Sequence, residues 1–404
     1  MFDNQKTTDF LVVGGGVIGI NIALELKRRY PDCRVTLIDK ESILTEHSSG
    51  RNSGVLHAGF YYTSESLKAR FTKQGNQELT QYCLERDLPL HQCGKLVVTR
   101  SEEEIQRLYT LYKRGKDNGV YLKLVSAEEA RDIEPRTKTC KQALFSPTTS
   151  TLDPVQTMQS FENDARQAGI EVMKMTRYVH SHGNEVITSQ GNIECGYLVN
   201  AAGLHADSIA KDFGYAGNLR ILPFKGLYLY SNKPKGSLSV HVYPVPDLKN
   251  PFLGVHFTLS VDGRIKIGPT AIPAFWRENY QGIDKFYFFD LIQTIGIQLG
   301  LFYKNNFGFR TLAWNEIRKY RKKHLVGIAS QLIKEVDPQE YSHWGQPGLR
   351  AQLVNTAKQE LVMDFLLEGD SRSFHVLNAV SPGFTCAIPF SRYVVDSIAS
   401  CLST

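Results

Sequence analysis

Several large protein classes are excluded by what this sequence lacks. Its seven cysteines (Cys33, Cys83, Cys93, Cys140, Cys195, Cys386, Cys401) are odd in number and scattered, with no Cys-x-x-Cys pair. A disulfide framework, a zinc site and a redox dithiol are therefore not expected, and a reducing cytoplasm fits. Charge is nearly balanced: 47 Lys and Arg against 41 Asp and Glu leave +6. The basic residues are mostly interleaved with acids and carry no recognition motif, which argues against nucleic acid as a partner. The surplus suits an anionic substrate or an anionic membrane surface. The apolar stretch 286–303 is interrupted by Asp290, Gln293, Gly296, Gln298 and Gly300, so a spanning helix is not expected. There is no internal repeat and no low-complexity linker. The first apolar strand opens at Asp9, and neither a signal nor a transit peptide is expected ahead of it. A second Gly-x-Gly-x-x-Gly is also missing. Enzymes that relay electrons between two bound nucleotides usually need two such sites, so any electrons handled here are expected to come from the substrate itself.

The one glycine motif that is present sits in a full context. The apolar strand Asp9-Phe10-Leu11-Val12-Val13 runs into Gly14-Gly15-Gly16-Val17-Ile18-Gly19 and then into an apolar-faced helix. Gly14 permits the tight turn, Gly16 lets a pyrophosphate approach the backbone, and Gly19 lets helix and strand pack closely. The helix N-terminus offers its N–H groups and positive dipole end to phosphate. A second strand, Arg34–Ile38, ends in Asp39. That acid, about 20 residues after the glycines, is placed to bind an adenosine ribose. An acid there disfavours a 2′-phosphate, which leaves FAD or NAD ahead of NADP.

At 404 residues the chain is too long for one small core, and two domains are expected. Helices are expected near 67–84, 102–115, 127–132 and 155–168, and strands near 94–99 and 169–172. Turns at Gly183-Asn184 and Gln190-Gly191-Asn192 suggest hairpins, and Tyr197–Gly203 reads as an apolar strand ending in small residues. Several strands fall within 220–275, and 283–335 reads as helical. The last segment reads as strand (Phe374–Ala379), glycine loop (381–385) and helix (Tyr393–Cys401). A sheet begun at residue 9 is thus completed near residue 375, so the nucleotide domain is discontinuous. The expected fold class is α/β: a Rossmann-like nucleotide-binding domain of residues 1–85, 146–219 and 340–404. The second domain, residues 86–145 and 220–339, is expected to be an α+β substrate domain with a mixed or antiparallel sheet.

The order of motifs resembles the FAD-dependent amine and hydroxy-acid oxidoreductases, the superfamily of D-amino-acid oxidase and sarcosine oxidase. Within it the chain resembles the L-2-hydroxyglutarate oxidase/dehydrogenase family. The segments that carry the likeness include Ser49–Tyr62 with its Asn52-Ser53-Gly54-x-x-His57-x-Gly59, Gln92–Val98, Asn200–Leu204, Val242–Asp247, Pro251–Thr258, Ile267–Pro269, Gly348–Gln352 and Phe374–Gly383. Some positions depart from the family pattern. Asp39 stands where Glu is common, Lys225 follows Pro223-Phe224 where Arg is common, and Phe384-Thr385-Cys386 is bulkier than the usual Ala-Thr-Ser. The resemblance implies FAD as cofactor. It is expected to be held by Gly14, Gly16, Gly19, Asp39, Lys40, Ser49, Arg51, Asn52, Ser53, Ala202, Gly203, Gly348, Arg350, Pro382, Gly383, Phe384 and Thr385. A strained turn at Pro382-Gly383 would present backbone N–H groups to the flavin.

Oxidising a 2-hydroxy acid needs a hydride acceptor, a base for the hydroxyl proton and cations for the carboxylates. The cofactor supplies the first. Histidine suits the second, since its ordinary pKa of about 6.5 lies near working pH. His57, in a glycine-flanked loop that the resemblance places beside the flavin, is the first candidate. His256, in the apolar segment Leu253–Phe257, is the second. For the carboxylates, Arg is preferred for bidentate contact. The candidates are Arg51, Lys225 and Arg350, with Tyr61, Tyr62 and Tyr243 as hydroxyl donors. The expected reaction is oxidation of L-2-hydroxyglutarate to 2-oxoglutarate, with electrons passed to a quinone or to O2. Amine or amino-acid oxidation of the sarcosine or glycine oxidase type is the alternative. Phe286–Phe289, Leu291–Tyr303 and the basic run Arg318–Lys323 suggest a peripheral contact with anionic membrane, on the cytoplasmic face. The bland alternative is a domain-packing helix with a solvated basic face.

Overall fold

The computed structural model describes residues 6–247 and 252–403. Pro251, the first residue of the Pro251–Thr258 segment, lies outside them, as do residues 1–5. The chain forms two compact units.

The first unit comprises the described residues up to Asn52, Pro154–Pro223 and the described residues from Arg350. Its sheet has Lys6–Val13 between Gly191–Asn200 and Val35–Ile38, all parallel. Glu171–Met173 extends it parallel on one side, and Ser373–Asn378 pairs parallel with Gly191–Asn200 on the other. The expectation that a strand near residue 375 completes the sheet opened at residue 9 is met. Register aligns the strand ends: Val13 pairs with both Asn200 and Ile38. Gly14, Asp39 and Ala201 therefore emerge together at the carboxyl edge, where open parallel sheets bind ligands. Helix Val17–Arg29 packs against Pro154–Gln167 and Gly383–Leu402.

The C-terminal helix differs from expectation. It begins at Gly383 and runs to Leu402 with Pro389 inside it, so residues 383–385 are its first turn rather than a loop. Gly383 is not among the residues with positive φ, so the expected strained turn is instead a helix start with Pro382 at the N-cap. Proline and glycine weigh against helix in isolation. Here burial of Cys386, Ala387, Phe390, Val394, Val395 and Ile398 at helical spacing outweighs them, as tertiary packing commonly does.

The second unit comprises Ser53–Asp153 and Phe224–Leu349. Residues 53–85, 146–153 and 340–349 belong here and not with the nucleotide unit as expected, while 220–223 fall in the first unit. The reason is strand pairing: Ser150–Leu152 joins Val55–Leu56 on one side and Leu90–His91 on the other. The main sheet has eight strands, in the order Tyr341–Trp344, Leu229–Ser231, Ile265–Gly268, His256–Leu259, His241–Pro244, Lys95–Val98, Gln142–Ser146, Lys123–Ser126. It is mixed, with one parallel pair, His241–Pro244 beside Lys95–Val98. The helical region beyond residue 283 resolves into Phe288–Lys304, Phe309–Arg318 and Lys322–Ala329.

The two faces of this sheet differ. Leu96, Val98, Val242, Phe257, Leu259, Ile265, Ile267 and Leu229 form one apolar face, packed with Leu325, Val326 and Ala329. Alternation sends their neighbours to the opposite face. There, register sets Lys95 beside His241, His241 and Tyr243 across from Thr258 and His256, and Lys266 beside Thr258. Lys95, His241, Tyr243, His256, Thr258 and Lys266 are all buried. Apolar residues normally hold both covered faces of a sheet. A buried face that is polar in its middle marks a place built for chemistry.

Candidate active site

In the first unit the site is mostly backbone. Gly14 has φ +103°, and a Cβ there would stand 2.6 Å from the Ala201 carbonyl oxygen. A Cβ on Gly19 would stand 1.9 Å from the Gly14 oxygen. Both positions are closed to any side chain, one by conformation and one by contact. Helix Val17–Arg29 has no acid in its first turn, and its N-cap Gly16 offers no side chain. The Val17 N–H donates to Ser49 Oγ at 2.9 Å, which fixes Ser49 at the helix mouth. Asp39 ends its strand as expected and also braces the turn. Its carboxylate accepts from the Gly15 N–H at 2.7 Å and the Glu41 N–H at 2.8 Å.

The remaining cofactor candidates of this unit fall around that edge or belong to local networks. Lys40 pairs with Glu41 at 2.8 Å and Arg51 with Glu46 at 2.7 Å. Asn52 donates to the carbonyls of Ser48 and Ser49. Ala202 and Gly203 follow Asn200 at the edge, where Ala202 N–H donates to Asn200 Oδ1 at 3.2 Å. Pro382, Gly383, Phe384 and Thr385 form the start of the C-terminal helix. Beyond its chain neighbours and its own helix, Gly383 has no atom within 4 Å of where a Cβ would stand. Arg350 is half-buried on strand Gly348–Asn355. A helix start whose N-cap carries no side chain, a glycine turn without side chains and an acid at the end of the second strand together fit an adenine dinucleotide. Ser53 and Gly348 belong to the second unit.

In the second unit the site is side chains. Four of the candidates, His57, Tyr61, Tyr243 and His256, are brought together at the polar face, around a lysine the sequence reading did not single out. The Lys95 amine stands 4.4 Å from the Tyr243 ring centroid, 5.2 Å from that of Tyr61 and 5.5 Å from that of Phe60. The His256 ring stacks on Tyr243 with centroids 3.6 Å apart. His256 Nδ1 lies 2.7 Å from the Gly254 carbonyl oxygen. A carbonyl only accepts, so Nδ1 carries the hydrogen and Nε2 keeps its lone pair. Burial, opposed in part by that bond, pushes His256 down to about 3. Burial also holds His57 well below the usual histidine value, with the charge of Lys95 and the neighbouring His256 acting the same way. Both imidazoles are neutral at pH 7, the state a proton acceptor needs.

His241 looks equally apt in sequence, but its valences are spent. Its Nδ1 accepts from the Leu259 N–H at 3.1 Å. The opposite nitrogen donates to Thr151 Oγ1 at 3.1 Å, with Cys93 Sγ at 3.3 Å. Lys266 is a second buried lysine. It donates to the Ser53 carbonyl at 3.0 Å and lies over the rings of Tyr228 and Tyr230; burial lowers it to about 8. Lys225 lies on the strand Leu219–Gly226, next to Ile272, with its amine 3.4 Å from Asn279 Oδ1. Tyr62 lies near the Lys68 amine, 6.0 Å from its ring centroid. Lys95 and Lys266 escaped the sequence reading because Lys95 opens its apolar strand and Lys266 alternates with isoleucine in its own, positions that ordinarily mean a solvent-facing side chain.

The family model for FAD dependent oxidoreductases matches residues 9–397. The chain is 35% identical to the mitochondrial L-2-hydroxyglutarate dehydrogenase of Homo sapiens, over 98% of this chain and 89% of that protein. It is 32% identical to the L-2-hydroxyglutarate dehydrogenase of Escherichia coli (strain K12), over 98% and 94%. Among solved structures it shares its fold with the L-alpha-glycerophosphate oxidase of Mycoplasma pneumoniae. The TM-score there is 0.77, with 22% identity over 99% of this chain and 96% of that one. Glycine oxidase from Geobacillus kaustophilus gives a TM-score of 0.72 with 19% identity, over 98% and 95%. The glycine turn, the acid at Asp39 and a match across nearly the whole chain agree: the protein belongs to the FAD-dependent oxidoreductases and, among them, to the L-2-hydroxyglutarate dehydrogenase family.

Proposed function

We propose that this protein oxidises L-2-hydroxyglutarate to 2-oxoglutarate. The observation that carries the reading is the neutral pair His57 and His256 beside the buried amine of Lys95. Such a face can take a hydroxyl proton and a carboxylate together. FAD, when bound, supplies the acceptor for the hydrogen that leaves C2. His57, the more accessible of the two imidazoles, receives the hydroxyl proton. His256, fixed by Gly254 and Tyr243, offers Nε2 to orient the hydroxyl. Tyr61 and Tyr243 keep water from the face with their rings. Amine oxidation is the weaker reading: the relatives with substantial identity are named for a hydroxy acid, and the glycine oxidase likeness is one of fold.

The test is anaerobic. L-2-hydroxyglutarate should bleach the oxidised-flavin band and the D-form should leave it intact. Persistence with both, alongside bleaching by an amino acid, would sink the reading.

The electrons pass, on this reading, to a quinone, with O2 as the alternative acceptor. The support is an apolar stripe without cover on helix Phe288–Lys304. Its Thr294, Ile297 and Leu301 face inward, while Phe288, Phe289, Ile292, Leu299, Phe302 and Tyr303 are exposed. Arg318, Arg321 and Lys323 are exposed nearby in sequence, although Lys319 is buried and paired with Glu316. No helix among the described residues is long and apolar enough to cross a membrane. A peripheral seat on anionic lipid, at the cytoplasmic face, suits this combination. Flotation with anionic but not neutral vesicles is the expected result, and failure to float with either removes the membrane seat.

A further inference from the structure

Lys95 has no exposed surface, and its amine has no hydrogen-bond partner among the described residues. The groups around it come from every neighbouring element. Cys93 precedes it on its own segment. His57 and Tyr61 come from the segment after Val55–Leu56, His241 and Tyr243 from one adjacent strand, and His256 from the strand beyond. Ser146 is its register partner on the other side. None is a carboxylate, and each titratable one is uncharged at pH 7. Burial depresses the three imidazoles and raises the phenols of Tyr61 and Tyr243. Burial also pushes the Cys93 thiol up to about 11. The charged group sharing the sheet face is Lys266, another cation.

A buried lysine with a structural task finds an acceptor, as Lys266 does in the Ser53 carbonyl. A position needing only bulk would be served better by Met or Leu, because an unsatisfied buried amine costs stability. We propose that Lys95 grips one carboxylate of the 2-hydroxy acid, taking a proton from solvent as the acid binds and returning it as the product leaves. The inference rests on the proposed function and names the group that anchors its substrate. Burial holds the free amine down at about 7. An arriving carboxylate favours the ammonium, and the ring of Tyr243 supports the charge from its other side. One proton enters with each acid. Oxidation at C2 leaves the carboxylate count unchanged, so the ammonium persists until 2-oxoglutarate departs. Above pH 7 the resting Lys95 is mostly neutral, so the buried charge appears chiefly when a carboxylate is there to meet it.

The experiment uses the FAD-loaded enzyme at pH 8 without oxygen. Binding of 2-oxoglutarate is followed by flavin absorbance, and by calorimetry in two buffers of different ionisation enthalpy. The wild type should take up close to one proton per ligand, as an amine with a free pKa of about 7 is mostly neutral at that pH. Lys95→Met should keep its flavin, lose the uptake, and bind roughly tenfold to a hundredfold more weakly. Lys95→Arg should recover most of the affinity without the uptake, since guanidinium does not deprotonate. If Lys95→Met purifies without FAD, Lys95→Gln carries the same test. Unchanged uptake or unchanged affinity in the variant overturns the role of Lys95 alone, provided L-2-hydroxyglutarate still reduces the wild type. A wild type that L-2-hydroxyglutarate does not reduce overturns both the inference and the reading beneath it.

Discussion

In the first unit, Gly14, Asp39 and Ala201 meet at the ends of three neighbouring parallel strands. In the second, Lys95, Tyr243 and His256 meet in the middle of a mixed sheet. The first site is made of backbone and needs residues that are nearly absent: no Cβ at Gly14 or Gly19, no side chain at the N-cap Gly16. The second is made of side chains that a sheet interior ordinarily refuses. A site built from missing atoms fails by addition, and a site built from buried polar atoms fails by deletion. Substitutions should therefore sort by unit.

The largest effect should come from Gly19→Val. Its Cβ would lie 1.9 Å from the Gly14 oxygen, and the Gly14 backbone with the Ala201 methyl leaves no flexible tip to yield. The variant should purify almost free of flavin, read as the ratio of flavin to protein absorbance. Flavin retained at wild-type ratio would break the account of the first unit. Next come His57→Ala and His256→Ala, which should keep their flavin. Loss of a general base costs roughly 10²–10⁴ in rate, measured as flavin reduction by L-2-hydroxyglutarate in stopped flow. If His57 is the acceptor, the larger fall belongs to it. A larger fall for His256 exchanges the two roles.

The contrast between the units also explains what was legible. The glycine turn, the ribose acid and the strand near residue 375 form local patterns, and local patterns survive in sequence. The polar face has no local pattern. Lys95 and Tyr243 come from distant segments, and only strand register makes them neighbours. His57 and His256 stood out because histidine is rare and chemically apt. By the same criterion His241 would have been a candidate, yet its ring is used up by Thr151, Cys93 and Leu259. The C-terminal helix start at Gly383 was hidden for another reason: Pro382-Gly383 reads as a turn until the burial of the following residues is known.

His241 and Lys95, register partners on one face, sharpen the comparison within the second unit. His241→Leu removes three satisfied contacts and should cost about 1–3 kcal/mol of stability, with flavin reduction per folded holoenzyme within a few-fold of wild type. Lys95→Met removes an unsatisfied amine and should raise the melting temperature at pH 7. The sign with pH follows from linkage. Lys95 has its folded value lowered from 10.5 to about 7, so between those values the unfolded chain holds a proton that the folded chain lacks. Wild-type stability therefore gains from this group as pH rises through that window. The advantage of Lys95→Met should be greatest near pH 7 and shrink toward pH 10. Thermal melts across that range check it, and a constant difference would mean that Lys95 stays charged when folded.

The smallest effect belongs to Tyr61→Phe. The Tyr61 hydroxyl is buried without a hydrogen-bond partner among the described residues, while its ring packs on Phe60 with centroids 4.3 Å apart. Phenylalanine keeps the ring and removes only the oxygen. Because no bond is broken, stability should stay within about 0.5 kcal/mol of wild type or rise slightly. What the hydroxyl offers is a donor to an incoming ligand, worth about 1 kcal/mol. That should appear as a several-fold rise in the KM for L-2-hydroxyglutarate with little change in maximal reduction rate, the signature of lost uniform binding. A clear loss of stability would show that the oxygen already has a partner when folded. Tyr61 would then join His241 among the face's settled groups and leave Lys95 as the donor that waits for substrate.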